Sequence, residues 1–447
     1  MHTNNQVKEH RCIFARSTLA GLLLIIGFSD CAIPRGRTEH DRAFIAYWPP
    51  KEEKQLRLAV KDNIDVKGVV TTAGSEYFAR TSRTASRDAD CLAIARKRNV
   101  QIVGKTNLSE FAVAPSGLNE YYGTPKNPFS KFHRYIPGGS SSGSAVAAAD
   151  GPADVTFGTD TAGSVRVPAA CCGIVGLKTT FGLVSLKGVL PVEPEHLDTV
   201  GPMAKDVDHV VQGMDLLQSG FAARYQRAIA AKPLAKNIRI GRLYLNGTDR
   251  KIDQAIDDAL AQTGFQVVRL DQQFQAQWDQ ATRDGNTVAA AGAWINYKKY
   301  FGRLGVSAKT EAIIALGEFD YTTNYQNALQ RQAAWQNTLR QVFKKVDFIA
   351  LPTLQRRPPS IPLIGRIAFL EALVLGQQNT AAVNFAGNPA LAIPIPVNEK
   401  DVPVTSLQLV GPRLSEAELL NAGRLVEASV RGSIDRSTLA KVAHPQR

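Results

Sequence analysis

Leu56-Arg-Leu-Ala-Val-Lys61 alternates apolar and polar or small positions and runs into Asp62-Asn63, the pattern of a β-strand entering a turn. Asp88 to Arg98 then carries a helical pattern, and Val100-Gln-Ile-Val103 predicts a second strand ended by Gly104. Strand, helix and strand in succession mark a layered α/β architecture. The rhythm recurs further along the chain. Ser144 to Asp150 is Ala-rich and predicts a helix, and Val155-Thr-Phe157 predicts a short strand before a Gly/Ser loop at 158–164. Ile238-Arg-Ile240, Ile252 to Gln262 and Phe265 to Leu270 repeat strand, helix and strand. Residues 275–345 read as mostly helical; strands are expected at 347–351, 390–395 and 407–410, with a closing helix over 414–430. With no internal repeat and no linker of biased composition, the expectation is one large α/β/α domain over 42–432. A tail would follow at 433–447.

A chain of 447 residues can bury a sizeable core. Its net charge of +13 is spread along the sequence without a basic tract, which fits a solvated basic surface and gives no reason to expect nucleic acid as a partner. The cysteines are Cys12, Cys31, Cys91, Cys171 and Cys172, with no C-x-x-C pair, and the histidines form no H-E-x-x-H. No metal site is expected from these patterns. At the N-terminus, Lys8, Arg11 and Arg16 precede an apolar run from Leu19 to Phe28, followed by Ser29-Asp30-Cys31-Ala32. That run has the length of a signal-peptide core and is too short for a mature membrane span. Residues 1–31 therefore read as an export leader, with Cys31 as a candidate lipid anchor and a cytoplasmic chain as the alternative.

Two Gly/Ser segments stand out: Gly138-Gly-Ser-Ser-Ser-Gly-Ser144, and Gly158-Thr-Asp-Thr-Ala-Gly-Ser-Val-Arg166. Small residues let successive backbone N–H groups converge on one point, as an oxyanion requires, and a serine closing such a nest would sit beside it as a nucleophile. Such loops also serve as phosphate cradles or plain turns, but neither segment matches G-x-x-x-x-G-K-[ST] or G-x-G-x-x-G. Gly139-Ser-Ser-Ser-Gly143 does match G-x-S-x-G, which would make Ser141 the nucleophile of an esterase of the α/β-hydrolase kind. That motif needs a strand leading into it, and Pro137 interrupts the approach. No histidine is well placed as a base, so a lysine of lowered pKa is the next candidate. Lys61, ending an apolar strand, could be such a base, or could pair with Asp62 or reach solvent.

Taken together, Val60-Lys-Asp-Asn-Ile64, Thr71-Thr-Ala-Gly74 and Gly104-Lys-Thr-Asn-Leu-Ser-Glu-Phe-Ala112 resemble the amidase-signature family. The two Gly/Ser segments, Val167-Pro-Ala-Ala170, Cys172-Gly-Ile-Val-Gly-Leu-Lys178 and Asp198-Thr-Val-Gly-Pro-Met203 continue the resemblance. So do Leu351-Pro-Thr353, Asn384-Phe-Ala-Gly-Asn-Pro-Ala390 and Leu407-Gln-Leu-Val-Gly411. The resemblance implies an α/β/α domain whose mixed central sheet is covered by helices on both faces, and a Ser–cis-Ser–Lys triad. Lys61 matches the family lysine, Ser140 the serine after a cis peptide bond, and Ser164 the nucleophile. It further implies an oxyanion hole from the N–H groups of Thr161, Ala162, Gly163 and Ser164. Ser141 and Ser142 would support the loop, and Asp160 and Arg166 would brace the turn. The family often has Gly-Gly before the nucleophile and S-S-G-G-S in the first loop; this chain has Ala162-Gly163 and Ser140-Ser-Ser-Gly-Ser144. The implied activity is hydrolysis of a small-molecule amide without metal or organic cofactor. A catalytically idle binding protein on the same scaffold is the remaining alternative. The sequence specifies no oligomeric state.

Overall fold

Alternation of side chains across a strand decides how this molecule is layered. In the computed structural model, Leu58 and Val60 belong to one apolar core and Ala59 to another. Leu391, Ile393 and Ile395 likewise face one side while Ala390 and Ala392 face the opposite side. The structure describes residues 36–430 except 53, 131–133, 363–366 and 400. The leader read over 1–31, Cys31, the upper limit at 432 and the tail at 433–447 lie outside the described residues.

The strands are β1 (Phe44–Tyr47), β2 (Arg57–Lys61), β3 (Gln101–Thr106), β4 (Val155–Asp160), β5 (Val175–Lys178) and β6 (Thr199–Ala204). They continue with β7 (Arg239–Arg242), β8 (Gln266–Arg269), β9 (Phe348–Pro352), β10 (Ala390–Pro396) and β11 (Val404–Val410). All join one 11-stranded sheet in the order β1-β3-β2-β4-β6-β5-β10-β11-β9-β7-β8. β2 runs parallel to β3 and β4, and β7 to β8 and β9; the remaining pairs are antiparallel, so the sheet is mixed. Helices Val207–Leu217, Phe221–Ala231, Arg250–Thr263 and Glu416–Val430 cover one face. Helices Ser142–Asp150, Gln272–Tyr297, Tyr325–Val342 and Ala381–Ala386 supply the cores of the other. This is the single α/β/α domain expected from the sequence. Among the described residues no helix is long and apolar enough to cross a membrane.

Several local expectations are corrected. The helix expected over 88–98 shortens to a 3₁₀ turn at Asp90–Leu92 and a helix at Ala93–Lys97. Gly104 does not end β3; it lies inside the strand because β1 passes so close that a Cβ there would meet Ala46 O at 2.3 Å. β4 extends to Asp160, past the start of the expected loop. β1, β5 and β6 stand outside the expected strands. β6 contains Gly201 and Pro202, residues that argue against a central strand, yet it lies between β4 and β5. The register with β5 stops at Met203, so no β5 residue lies opposite Pro202 to require its missing N–H.

Candidate active site

The C-terminal ends of the parallel strands β2 and β4 lie side by side, with Val60 in register with Phe157. That register delivers Lys61, the last residue of β2, to Thr159 near the end of β4. Lys61 is fully buried. Its Nζ lies 2.7 Å from Ser140 Oγ and 2.8 Å from Thr159 Oγ1, and Asn63 Nδ2 donates to the same threonine oxygen at 3.1 Å. Burial pulls the amine down to about 7, against the opposing influence of Asp160 and Asp198. Asp62 does not pair with Lys61; its carboxylate lies 2.8 Å from Lys105 Nζ, and both are buried. Lys61 therefore meets neutral hydroxyls rather than a carboxylate, an arrangement that favours the uncharged amine.

Ser140 follows a cis peptide bond from Gly139. Three backbone hydrogen bonds fix its loop: Ser109 N–H to Ser140 O (3.1 Å), Gly139 N–H to Pro115 O (2.7 Å) and Gly143 N–H to Asn107 O (2.9 Å). Ser141 is fully buried, and its hydroxyl donates to Thr159 O at 3.3 Å. Its N–H donates to Ser164 O at 3.3 Å, which ties the two Gly/Ser segments together. The Ser142 hydroxyl, expected to support the loop, is buried without a hydrogen-bond partner among the described residues. Two observations weigh against Ser141 as an esterase nucleophile. Its hydroxyl is enclosed, and no strand leads into it among the described residues.

Beyond Asp160 the chain bends through Thr161, Ala162 and Gly163 to Ser164, and the helix Arg166–Cys172 follows. Among the described residues, the N–H groups of Thr161, Ala162, Gly163 and Ser164 donate to no backbone carbonyl. Gly163 has φ of +139°, and a Cβ there would meet Thr380 Oγ1 at 2.3 Å, so only glycine fits. Thr380 in turn donates its hydroxyl to Ala162 O, which holds that carbonyl in place. Ser164 is half-buried, unlike Ser140 and Ser141. Of the three serines it is the one that keeps exposed surface.

Beneath this turn lies a buried ionic cluster. Arg166 meets both Asp160 oxygens, Nε to Oδ2 at 3.1 Å and Nη2 to Oδ1 at 3.0 Å, while Val165 N–H donates to Asp160 Oδ2 at 3.1 Å. Burial works to raise the Asp160 carboxyl, but Arg166, Lys178 and Asn384 outweigh it and hold it at about 2. Arg166 also donates to Gln408 Oε1 (2.7 Å) and Thr380 O (3.1 Å), and Asn384 Nδ2 donates to Asp160 Oδ1 (2.8 Å). A buried pair with its remaining donors and acceptors satisfied holds a turn rigidly. Thr159, Thr380, Asn384, Gln408 and Asp198 join the site without having been expected there. Thr159, Asn384, Gln408 and Asp198 lie in segments that resemble the family, which is the only signal the sequence holds for them. Thr380 carries none. Among the described residues no group of three or more His, Cys, Asp or Glu side chains is gathered as a metal site.

Comparison with known proteins gives the family and the fold. The amidase family model matches residues 56–420. A glutamyl-tRNA(Gln) amidotransferase polypeptide of Halobacterium salinarum is 31% identical over 412 residues, covering 83% of this chain and 94% of that one. 2-Amino-5-chloromuconic acid deaminase of Comamonas testosteroni is 32% identical over 389 residues, covering 84% and 81%. The crystal structure of the corresponding glutamyl-tRNA(Gln) amidotransferase polypeptide from Thermotoga maritima shares the fold, with a TM-score of 0.70 at 24% identity over 92% of this chain and 91% of that one. A family match that runs from β2 into the closing helix, and so spans both Gly/Ser segments, makes this chain an enzyme of the amidase-signature family.

Proposed function

We propose that the protein hydrolyses a small-molecule carboxylic amide to the acid and ammonia or an amine, through an acyl-enzyme on Ser164. The observation that carries this reading is the 2.7 Å contact between Lys61 Nζ and Ser140 Oγ, made by an amine that burial holds near neutrality. A neutral Lys61 accepts the Ser140 proton as Ser140 accepts that of Ser164, and Ser164 Oγ attacks the amide carbonyl carbon. Negative charge develops on the carbonyl oxygen, where the N–H groups of Thr161, Ala162, Gly163 and Ser164 are free to donate. The proton returns through Ser140 to the leaving nitrogen, the C–N bond breaks, and water hydrolyses the ester by the same relay. Asp160 and Arg166 act on the turn's shape and exchange no proton with substrate. The test is Ser164→Ala assayed for ammonia release on a panel of aliphatic, aromatic and amino-acid amides. The variant should fold as wild type and release none; retained turnover would overturn the assignment.

A further inference from the structure

The antiparallel register of β4 and β6 ends with Asp160 opposite Thr199, and one step beyond it Thr161 faces Asp198. There Thr161 Oγ1 donates to Asp198 Oδ1 at 2.6 Å. The other carboxylate oxygen accepts Val192 N–H at 2.8 Å and Glu193 N–H at 3.0 Å. Asp198 is buried and has no cationic partner among the ion pairs of the described residues. A buried carboxylate compensated only by neutral donors is costly, and the mechanism above does not use it.

We infer that Asp198 is a positioning residue of this site: its carboxylate anchors Thr161, the first residue of the donor loop 161–164, to the segment 192–193. The inference rests on the amidase reading and adds to it a residue that touches neither substrate nor nucleophile. The groups facing Asp198 are Thr161, Glu193 and the Tyr297 phenol, and those acting on Lys61 are Asp160 and Asp198. Burial lifts Asp198 to about 6, so above that pH it is anionic and favours the charged form of Lys61.

The experiment follows the rate of Ser164 labelling by a fluorophosphonate between pH 5 and 9 in the full chain, comparing wild type, Asp198→Asn and Thr161→Val. Asp198→Asn should slow labelling on the alkaline plateau by about 10-fold or more. It should also move the acid limb down by roughly one pH unit, because a lysine without its anionic neighbour is neutral at lower pH. Thr161→Val keeps the charge and should lower the plateau with the limb in place. A folded Asp198→Asn variant that labels at the wild-type plateau rate would overturn the inference, and so would an unchanged Thr161→Val plateau. Failure of wild type to label at Ser164 would instead overturn the amidase reading itself. If Asp198→Asn does not fold, Asp198→Glu replaces it: the longer side chain displaces the anchored hydroxyl of Thr161 and should lower the plateau, and a plateau equal to wild type would overturn the inference.

Discussion

Replacing Lys61 with methionine should separate what the amine does for catalysis from what its burial does to stability. Methionine is unbranched, apolar and of similar length, so it can occupy the enclosed space at the end of β2. Burial lowers Lys61 from 10.5 to about 7 in the folded state. At about 1.4 kcal/mol per pH unit, that drop corresponds to roughly 5 kcal/mol of lost stability at low pH. Above pH 10.5 both folded and unfolded chains hold the neutral amine and the term vanishes. Between 7 and 10.5 the unfolded chain binds a proton that the folded chain does not, so wild-type stability from this group rises with pH. Below 7 both states are protonated and the deficit is constant. The variant lacks the term, and the loss of the amine's contacts with Ser140 and Thr159 is independent of pH. Urea unfolding of both proteins should show wild type gaining about 2 kcal/mol relative to Lys61→Met between pH 7 and 9. Amide turnover by the variant should fall about 10²–10⁴-fold, and wild-type kcat/KM should drop tenfold per pH unit below about 7. A stability difference flat across pH 7–9 would show that the folded protein does not hold Lys61 neutral, and the base would have to be sought elsewhere.

Gly163→Ala places a methyl group 2.3 Å from Thr380 Oγ1 and should displace the loop's donors, costing about 10²–10³-fold in kcat while circular dichroism stays native. A kcat within twofold of wild type would detach those N–H groups from the reaction. Asp160→Asn leaves Arg166 buried without its counter-charge and should cost about 3–5 kcal/mol in urea unfolding. A loss below about 1 kcal/mol would mean that the cluster does not brace the turn.

Much of the fold is legible in the sequence because apolar alternation and turn residues mark strands one at a time. β2, β7, β8, β9 and β10 fall within a residue or two of where those patterns put them. β6 is hidden because Gly201-Pro202 breaks the local pattern, and only the short register of its neighbour makes the proline tolerable. The end of β3 is misplaced by local reading because Gly104 answers to the closeness of β1, a contact between distant segments. The site divides in the same way. Lys61, Ser140 and Ser164 stand in segments that motif matching can align. Local sequence alone leaves the lysine's partner open, since Asp62 is its neighbour; the structure gives Asp62 to Lys105 and Lys61 to two hydroxyls. Thr159 and Thr380 act through contacts spanning 98 and 218 residues of sequence, and no local pattern reports such a meeting.

In the proposed mechanism the half-buried serine, and not its enclosed neighbours, is the one that an amine at the end of β2 activates. Labelling the wild-type protein with a fluorophosphonate and mapping the modified peptide tests it directly. A single adduct is expected on Ser164, at a rate that falls as pH drops through about 7. An adduct on Ser141 would contradict it and restore the esterase reading.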